Sequence, residues 1–139
     1  MQISVTSSPT EADINAVSDG LDAYNQEVHS AYGRQPLAVL VRDPGTNEVI
    51  GGLTGRTSLG VLFIDMFYLP KSLRGQGLGG TILRKAEDEA RRRGCQAGVL
   101  YTITFQAPDF YAKHGWRAFG EVPSTPPGAS RVFMTKDLA

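Results

Sequence analysis

The chain has 139 residues, 14 basic against 14 acidic, 20% charged residues and a single cysteine. That length fits one domain, here residues 1–139, able to bury a core without metal or disulfide help; the charge balance argues against a dedicated nucleic-acid binder, and Cys95 alone excludes an internal disulfide and any multi-cysteine zinc site. The longest apolar run, residues 37–41, stops at Arg42, far short of the ~20 residues a membrane span needs, and no basic start precedes a long apolar run at the N-terminus, so a soluble cytoplasmic protein is expected.

The charge is unevenly spread. Residues 1–60 carry three basic residues against seven acidic, a net of −4, and the remainder carries eleven against seven, a net of +4. Seven of those eleven bases lie between Lys71 and Arg93. An anion held there and a cation attracted to the acidic half would fit this division; two solvated faces of opposite sign would fit it equally.

In chain order, residues 2–6 alternate Ile3 and Val5 and predict a short strand. Ser8, Pro9 and Glu11 then supply a cap, a first-turn proline and a capping box. Ile14, Val17, Leu21, Tyr24, Val28 and Tyr32 recur every three or four residues, one face of a helix, with a bend expected at Asp19-Gly20. Residues 36–42 and 48–57 predict two strands of a hairpin joined by the turn residues 43–47. Residues 61–69 (VLFIDMFYL) are the strongest strand signal, followed by Arg74-Gly75-Gln76-Gly77-Leu78-Gly79-Gly80.

Residues 81–93 predict a helix, with Glu87, Asp88 and Glu89 each four residues before an arginine and Gly94 at the position after its end. A strand over 97–102, a short helix over 108–114 ended by Gly115, and strands over 116–121 and 131–136 complete the chain. This is an α/β order with a mostly antiparallel first half.

The glycine-rich run carries the most chemistry. It follows a strand and opens a helix, where the first backbone N–H groups are unpaired and carry partial positive charge. Glycines let a phosphate approach those groups closely, and Arg74 adds a guanidinium at the mouth. Gly75, Gly77 and Gly80 also match a dinucleotide-binding spacing. Five residues, 70–74, separate the strand from Gly75, however, and the following strand offers no acid for a ribose. No Gly-Lys-Ser/Thr closes the run, which excludes a Walker loop.

Arg74-x-x-Gly77-x-Gly79 resembles the acyl-CoA signature of the Gcn5-related N-acetyltransferase (GNAT) superfamily. Ala86-Glu87-x-Glu89-Ala90-x-x-x-Gly94 looks like that family's usual helix ending. Thr104-x-x-Ala107-x-x-Phe110-Tyr111-x-x-x-Gly115-Trp116 looks like its second signature. The resemblance implies the GNAT acyl-CoA N-acyltransferase fold, with a mixed central sheet of about seven strands splayed at the cofactor site and about four helices. It implies acetyl-CoA as co-substrate, with no metal, and transfer of its acetyl group to a primary amine by direct attack on the thioester.

Carried over residue by residue, the resemblance gives cofactor contacts at Phe67, Tyr68, Leu69, Arg74, Gly75, Gln76, Gly77, Leu78, Gly79 and Gly80. Thr104 stands where many members have a CoA-contacting asparagine, and Gln106 is a substitute for it. Tyr111 matches the tyrosine that protonates the departing thiolate. Asp65, the one acid of the central strand, is the candidate base or ammonium partner, and Tyr101 and Thr102 fall where the acceptor groove runs. The acidic first half suggests a small cationic acceptor such as a polyamine or an aminoglycoside. Protein amines are the alternative acceptor, and a non-catalytic acyl-CoA-binding regulatory module is the alternative activity. Neither nucleic acid nor membrane is an expected partner, and a homodimer through the final strands is one arrangement open to the fold. His29, His114 and Cys95 have no partners spaced for catalysis and are expected to be structural.

Overall fold

The seam between two halves of one sheet positions everything else in this chain. In a computed structural model, which describes residues 1–104 and 106–139, six strands run in the order β1-β2-β3-β4-β6-β5. They are β1 (Gln35–Arg42), β2 (Val49–Ser58), β3 (Val61–Tyr68), β4 (Ala97–Ile103), β5 (Arg117–Pro123) and β6 (Ser130–Asp137). All neighbours are antiparallel except β3 and β4. Those two are joined through a short 3-10 turn (Lys71–Leu73) and helix α2 (Leu78–Arg92), and α3 (Pro108–Lys113) follows β4.

The chain forms two compact units, residues 1–34 and 35–139. In the first, helix α1 (Glu11–Val28) is capped by Thr10, whose side chain accepts from the Asp13 amide while Asp13 accepts from the Thr10 amide. This reciprocal box lies two residues later than the predicted Ser8–Glu11 pair. The helix runs straight through Asp19-Gly20: one glycine lowers helix stability by about 1 kcal/mol without breaking it. Arg34 returns to Asp22 at 3.1 Å, as does the Tyr32 hydroxyl at 3.0 Å. The α1 stripe of Ile14, Val17, Leu21, Tyr24 and Val28 stays exposed, and residues 2–6 form no strand. Ile3 and Val5 alternate correctly but find no neighbour to pair with. Among the described residues the sheet therefore has six strands rather than about seven, and the α-helices number three rather than about four.

In the second unit the core lies between the sheet and α2. Leu53, Leu62, Ile64 and Leu100 from the strands meet Ile82, Leu83, Ala86 and Ala90 from the helix, all buried. Trp116 lies flat against Gly98, where a Cβ would come within 2.5 Å of the indole. The β-strands read correctly from their alternation, and Gly94 (φ +86°) and Gly115 (φ +88°) end α2 and the α3 turn as expected.

One pairing differs from the surface ladder the sequence suggests. Arg93 does meet Glu89 at 2.8 Å, but Asp88 pairs with Arg91 and Arg92 with Glu89, both three residues apart. Glu87 does reach Arg91, at 3.8 Å, but it is not on the solvated face. It is 2% exposed and sits between the Lys136 ammonium at 2.7 Å and the Trp116 indole N–H at 3.1 Å. Lys136 also donates to the His114 carbonyl at 2.7 Å. Removing one partner of such a pair strands the other charge in a dry interior, which typically costs 3–5 kcal/mol. Glu87→Ala is therefore expected to lower stability by about 3–5 kcal/mol in urea unfolding. The Glu87→Leu/Lys136→Met pair is expected to recover a large part of that loss.

Candidate functional site

The β3–β4 ladder is short. Parallel pairing spans only Val61–Phe63 against Ala97–Val99. Beyond it, β3 stays paired with β2 as far as Tyr68 opposite Gly52, and β4 with β6 as far as Ile103 opposite Arg131. Each strand follows its outer neighbour, and the two part. Between them lies a cavity of about 720 Å³ bounded by residues 64–69 of β3 and its end, residues 100–103 of β4, Arg74, Gln106, Ala107 and Tyr111.

A β-bulge sets where β3 turns away. Gly55 pairs with Ile64 and Thr54 with Met66, leaving Asp65 as the extra residue. A bulge bends its strand and resets which side chains face which way. Ile64 is buried, Asp65 and Met66 are both exposed, and Phe67 turns back inward to Phe110 (5.8 Å) and Tyr111 (6.4 Å between ring centroids). Gly55 is required beside the bulge, because a Cβ there would meet the Phe63 carbonyl at 2.2 Å.

The glycine run lies at the far end of β3. Arg74 donates through Nε to the Leu69 carbonyl at 2.9 Å, which folds the loop back on the strand end and leaves the rest of the guanidinium on the cavity wall. Gly77 is the N-cap of α2 in the left-handed region (φ +78°) and offers no capping side chain. The first backbone bond of the helix runs from the Thr81 amide to the Gly77 carbonyl. The amides of Leu78, Gly79 and Gly80 precede it and have no acceptor within the helix. Gln76 donates its side-chain amide to the Ser72 carbonyl at 3.3 Å and holds the turn. The last two glycines have a second reason to be small. A Cβ on Gly79 would meet the Phe110 ring at 3.1 Å, and one on Gly80 the His114 imidazole at 2.8 Å. They let α3 close on α2, which the glycine spacing alone did not disclose.

Tyr111 is the buried aromatic of the cavity, 7% exposed. Phe67, Phe110 and Trp116 surround its ring at 5.3–6.4 Å. Its carbonyl accepts from the His114 and Trp116 amides, so the 111–116 turn fixes its backbone. Burial pushes the phenol up to about 12. It is a neutral hydrogen-bond donor throughout the physiological range.

The other predicted residues divide. Asp65 lies on the cavity wall, but its Oδ1 is held by Arg56 Nη1 at 2.7 Å, and the Arg56 guanidinium lies 4.3 Å from the centre of the Phe63 ring. Tyr101, Thr102 and Gln106 line the cavity. Gln106 Oε1 accepts from the Ile103 amide at 3.0 Å and caps the end of β4. Thr104 faces elsewhere: its hydroxyl donates to the Gly128 carbonyl at 2.9 Å and accepts from the Ser130 amide at 3.1 Å. Those two bonds clamp the β5–β6 loop. Cys95 is buried and its thiol is pushed up by that burial, and His114 packs against Phe110 at 4.8 Å; both are structural, as expected. Of the acidic residues of the first half, Asp43 and Glu48 lie in the same unit as the cavity and do not line it.

A parted parallel pair, a glycine-opened helix at its mouth and a buried tyrosine opposite define the acyl-transfer class of α/β domains. The model of the acetyltransferase (GNAT) family matches residues 8–116, and the chain belongs to that family. It is 32% identical over 121 residues to an acetyltransferase of Agrobacterium fabrum, Atu2258, covering 87% of this chain and 88% of that one. It is 36% identical over 92 residues to blasticidin-S acetyltransferase of Streptomyces morookaense, covering 66% and 68%. Among solved structures, an acetyltransferase from Bacillus cereus superposes with a TM-score of 0.75 at 28% identity, over 96% of this chain and 97% of that chain. An aminoglycoside 6'-N-acetyltransferase solved with coenzyme A shares the fold at a TM-score of 0.63 and 17% identity, over 100% of this chain and 98% of that chain.

The raised Tyr111 value has a measurable consequence. A phenol whose folded value lies above the ordinary 10 contributes its full stability below pH 10 and loses it as pH rises toward 12. The loss is roughly 2–3 kcal/mol. Urea midpoints measured from pH 8 to 11.5 are expected to fall more steeply for the wild type than for Tyr111→Phe.

Proposed function

We propose that this chain transfers the acetyl group of acetyl-CoA to a primary amine in the cavity between β3 and β4. The observation that carries the reading is the run of open amides on Leu78, Gly79 and Gly80 beside the unmatched inner edge of β3. A helix N-terminus of this kind suits a phosphate, and an open strand edge suits an extended arm carrying amide groups. The residues fit the cofactor on those two counts, and the family relatives named for acetyl transfer support the same reading.

Acetyl-CoA supplies the acetyl group as an activated thioester; transfer forms a C–N bond and releases the thiol. The chain's own residues do the rest. Residues 75–80 and Arg74 bind the phosphate end, with Gln76 holding the loop in shape. Phe67, Tyr68 and Leu69 offer backbone groups to the arm, and a fixed N–H aimed at a developing oxyanion is worth about 3–4 kcal/mol. Tyr111 supplies a proton to the departing sulfur. Its value of about 12 makes it a weaker acid than a free phenol, so it keeps its proton until negative charge has developed on that sulfur. Asp65 holds the acceptor amine on the carboxylate oxygen left over from Arg56 and takes, directly or through water, the proton that the nitrogen sheds as the C–N bond forms and the C–S bond breaks. Gln106 shapes the end of the groove; Thr104 acts through the loop it clamps.

The first test is thermal unfolding with acetyl-CoA, CoA and NAD. A ligand at 100 times its dissociation constant adds about 2.7 kcal/mol, a shift of several degrees for a domain of this size. Acetyl-CoA and CoA are expected to stabilise and NAD is not; no shift with acetyl-CoA at saturation removes the reading. With an accepted amine, Tyr111→Phe is expected to lower kcat at least about tenfold, or roughly 1.4 kcal/mol, while the acetyl-CoA shift stays. Unchanged turnover would leave Tyr111 a packing residue. Stabilisation by acetyl-CoA with no thiol release across a broad amine panel would instead support a binding module.

A further inference from the structure

We infer that the acceptor is a monoamine on an apolar or aromatic body, and that multiply charged amines are poor substrates. The inference rests on the acetyl-transfer reading above and concerns the acceptor end of the same cavity. Three observations carry it.

The first is charge. Asp65 is the one carboxylate on the cavity wall among the described residues, and half of it is already committed to Arg56. The pair is neutral as a unit, so it offers a single ammonium one oxygen. The other fully charged group on the wall is Arg74, a cation. A second or third ammonium on the same acceptor would find no partner there and would face a like charge. Asp43 and Glu48, the acidic residues of the β1–β2 turn, are not on that wall.

The second is the lining. Beside Asp65 the bulge turns Met66 outward, 67% exposed, and Tyr68 and Tyr101 are 58% and 48% exposed. Large apolar side chains grouped at the rim of a cleft mark a surface made to be covered.

The third is continuity. Tyr101 is the first of a row of rings. Phe133 lies 5.6 Å from it across the β4–β6 ladder and Phe119 lies 6.3 Å further on. The row begins inside the cavity and runs out over the face of the sheet opposite Leu100 and Thr102, whose side chains are buried. An apolar body anchored by its ammonium at Asp65 would lie along it, and rings also accept the CH groups and faces of an aromatic acceptor in edge or offset contacts.

The test compares kcat/KM at saturating acetyl-CoA for phenethylamine and tryptamine against spermidine and kanamycin, with thiol release as the readout. The aromatic monoamines are expected to exceed the polycations at least tenfold. Phe133→Ser, outside the cavity wall, is expected to reduce the aromatic monoamines severalfold through KM while leaving the acetyl-CoA thermal shift unchanged; Tyr101→Ser is expected to do the same more strongly. Equal or better turnover of spermidine or kanamycin overturns the inference. So does a loss of equal size for every amine in both variants, and so does acetyl-CoA stabilisation with no monoamine acetylated. Absence of any acetyl-CoA shift in the wild type is a different result, since it removes the acetyl-transfer reading and this inference with it.

Discussion

The parting of β3 from β4 is the constraint on which the rest of this structure depends. A parallel pair of full length would match every inner N–H and C=O and leave no cleft. Here the match stops at Phe63 and Val99, because β2 and β6 hold their own partners to the strand ends and draw them apart. Unmatched backbone groups in a cleft are unfavourable unless something else satisfies them. The cleft is thus a preformed set of hydrogen-bonding positions on a rigid sheet, and the Asp65 bulge decides its depth. The glycine loop at the end of β3 and Tyr111 after β4 are brought to opposite sides of one opening by the same divergence.

The buried Glu87–Lys136–Trp116 cluster explains how the two sides keep their spacing. Its members come from α2, β6 and the turn that follows α3. Desolvating both charges is expensive, and a well-packed apolar trio would often be at least as stable. The geometry gives the cluster a further use: Lys136 ties the His114 carbonyl, Glu87 ties the Trp116 indole, and the 111–116 turn bonds back to the Tyr111 carbonyl. The helix that offers open amides and the turn that carries the tyrosine are locked to each other through directional bonds, which apolar packing would not supply.

Much of this was legible in the sequence where one local rule acts alone. Apolar runs bounded by turn residues located the strands of residues 35–139, and the run from Arg74 to Gly80 marked the helix opening. What was not legible depended on neighbours far along the chain. The strand over 2–6 has the right pattern but no partner, and pattern without a partner does not make a sheet. The bulge at Asp65 is a property of the β2–β3 register, so an acid that reads as a free base is in fact half of an ion pair. Glu87 is instructive because its signal was present: it stands four residues after Leu83 and three before Ala90, on the apolar face, while its spacing to Arg91 suggested a surface pair. Both signals hold: the pair with Arg91 forms at 3.8 Å, and Glu87 is buried because Lys136, 49 residues away, supplies a second and closer counter-charge. Thr104 shows the limit of position-by-position transfer, since a hydroxyl small enough to reach the 128–130 backbone is taken up by it.

The distribution of formal charge along the chain is a poor guide to the field inside the cleft. Of the seven bases between Lys71 and Arg93, the last three are engaged by acids of their own helix, and Arg93 also bonds the Pro36 carbonyl and Thr57 hydroxyl. Arg74 is the one that borders the cavity. Attraction for an anion at the loop therefore comes from peptide dipoles at the start of α2 with two guanidinium groups beside them, Arg74 on the cavity wall and Arg84 next to Gly80 and Thr81, and not from the net positive charge of the region. The same holds with opposite sign for the β1–β2 turn: Asp43 and Glu48 do not border the cavity, and salt screens an exposed charge over about 8 Å, so a carboxylate outside the wall adds little to the field within it. On the wall itself the one carboxylate among the described residues is paired with Arg56 and the other formal charge is a cation, so the local field follows from those two groups and not from the formal total of the chain.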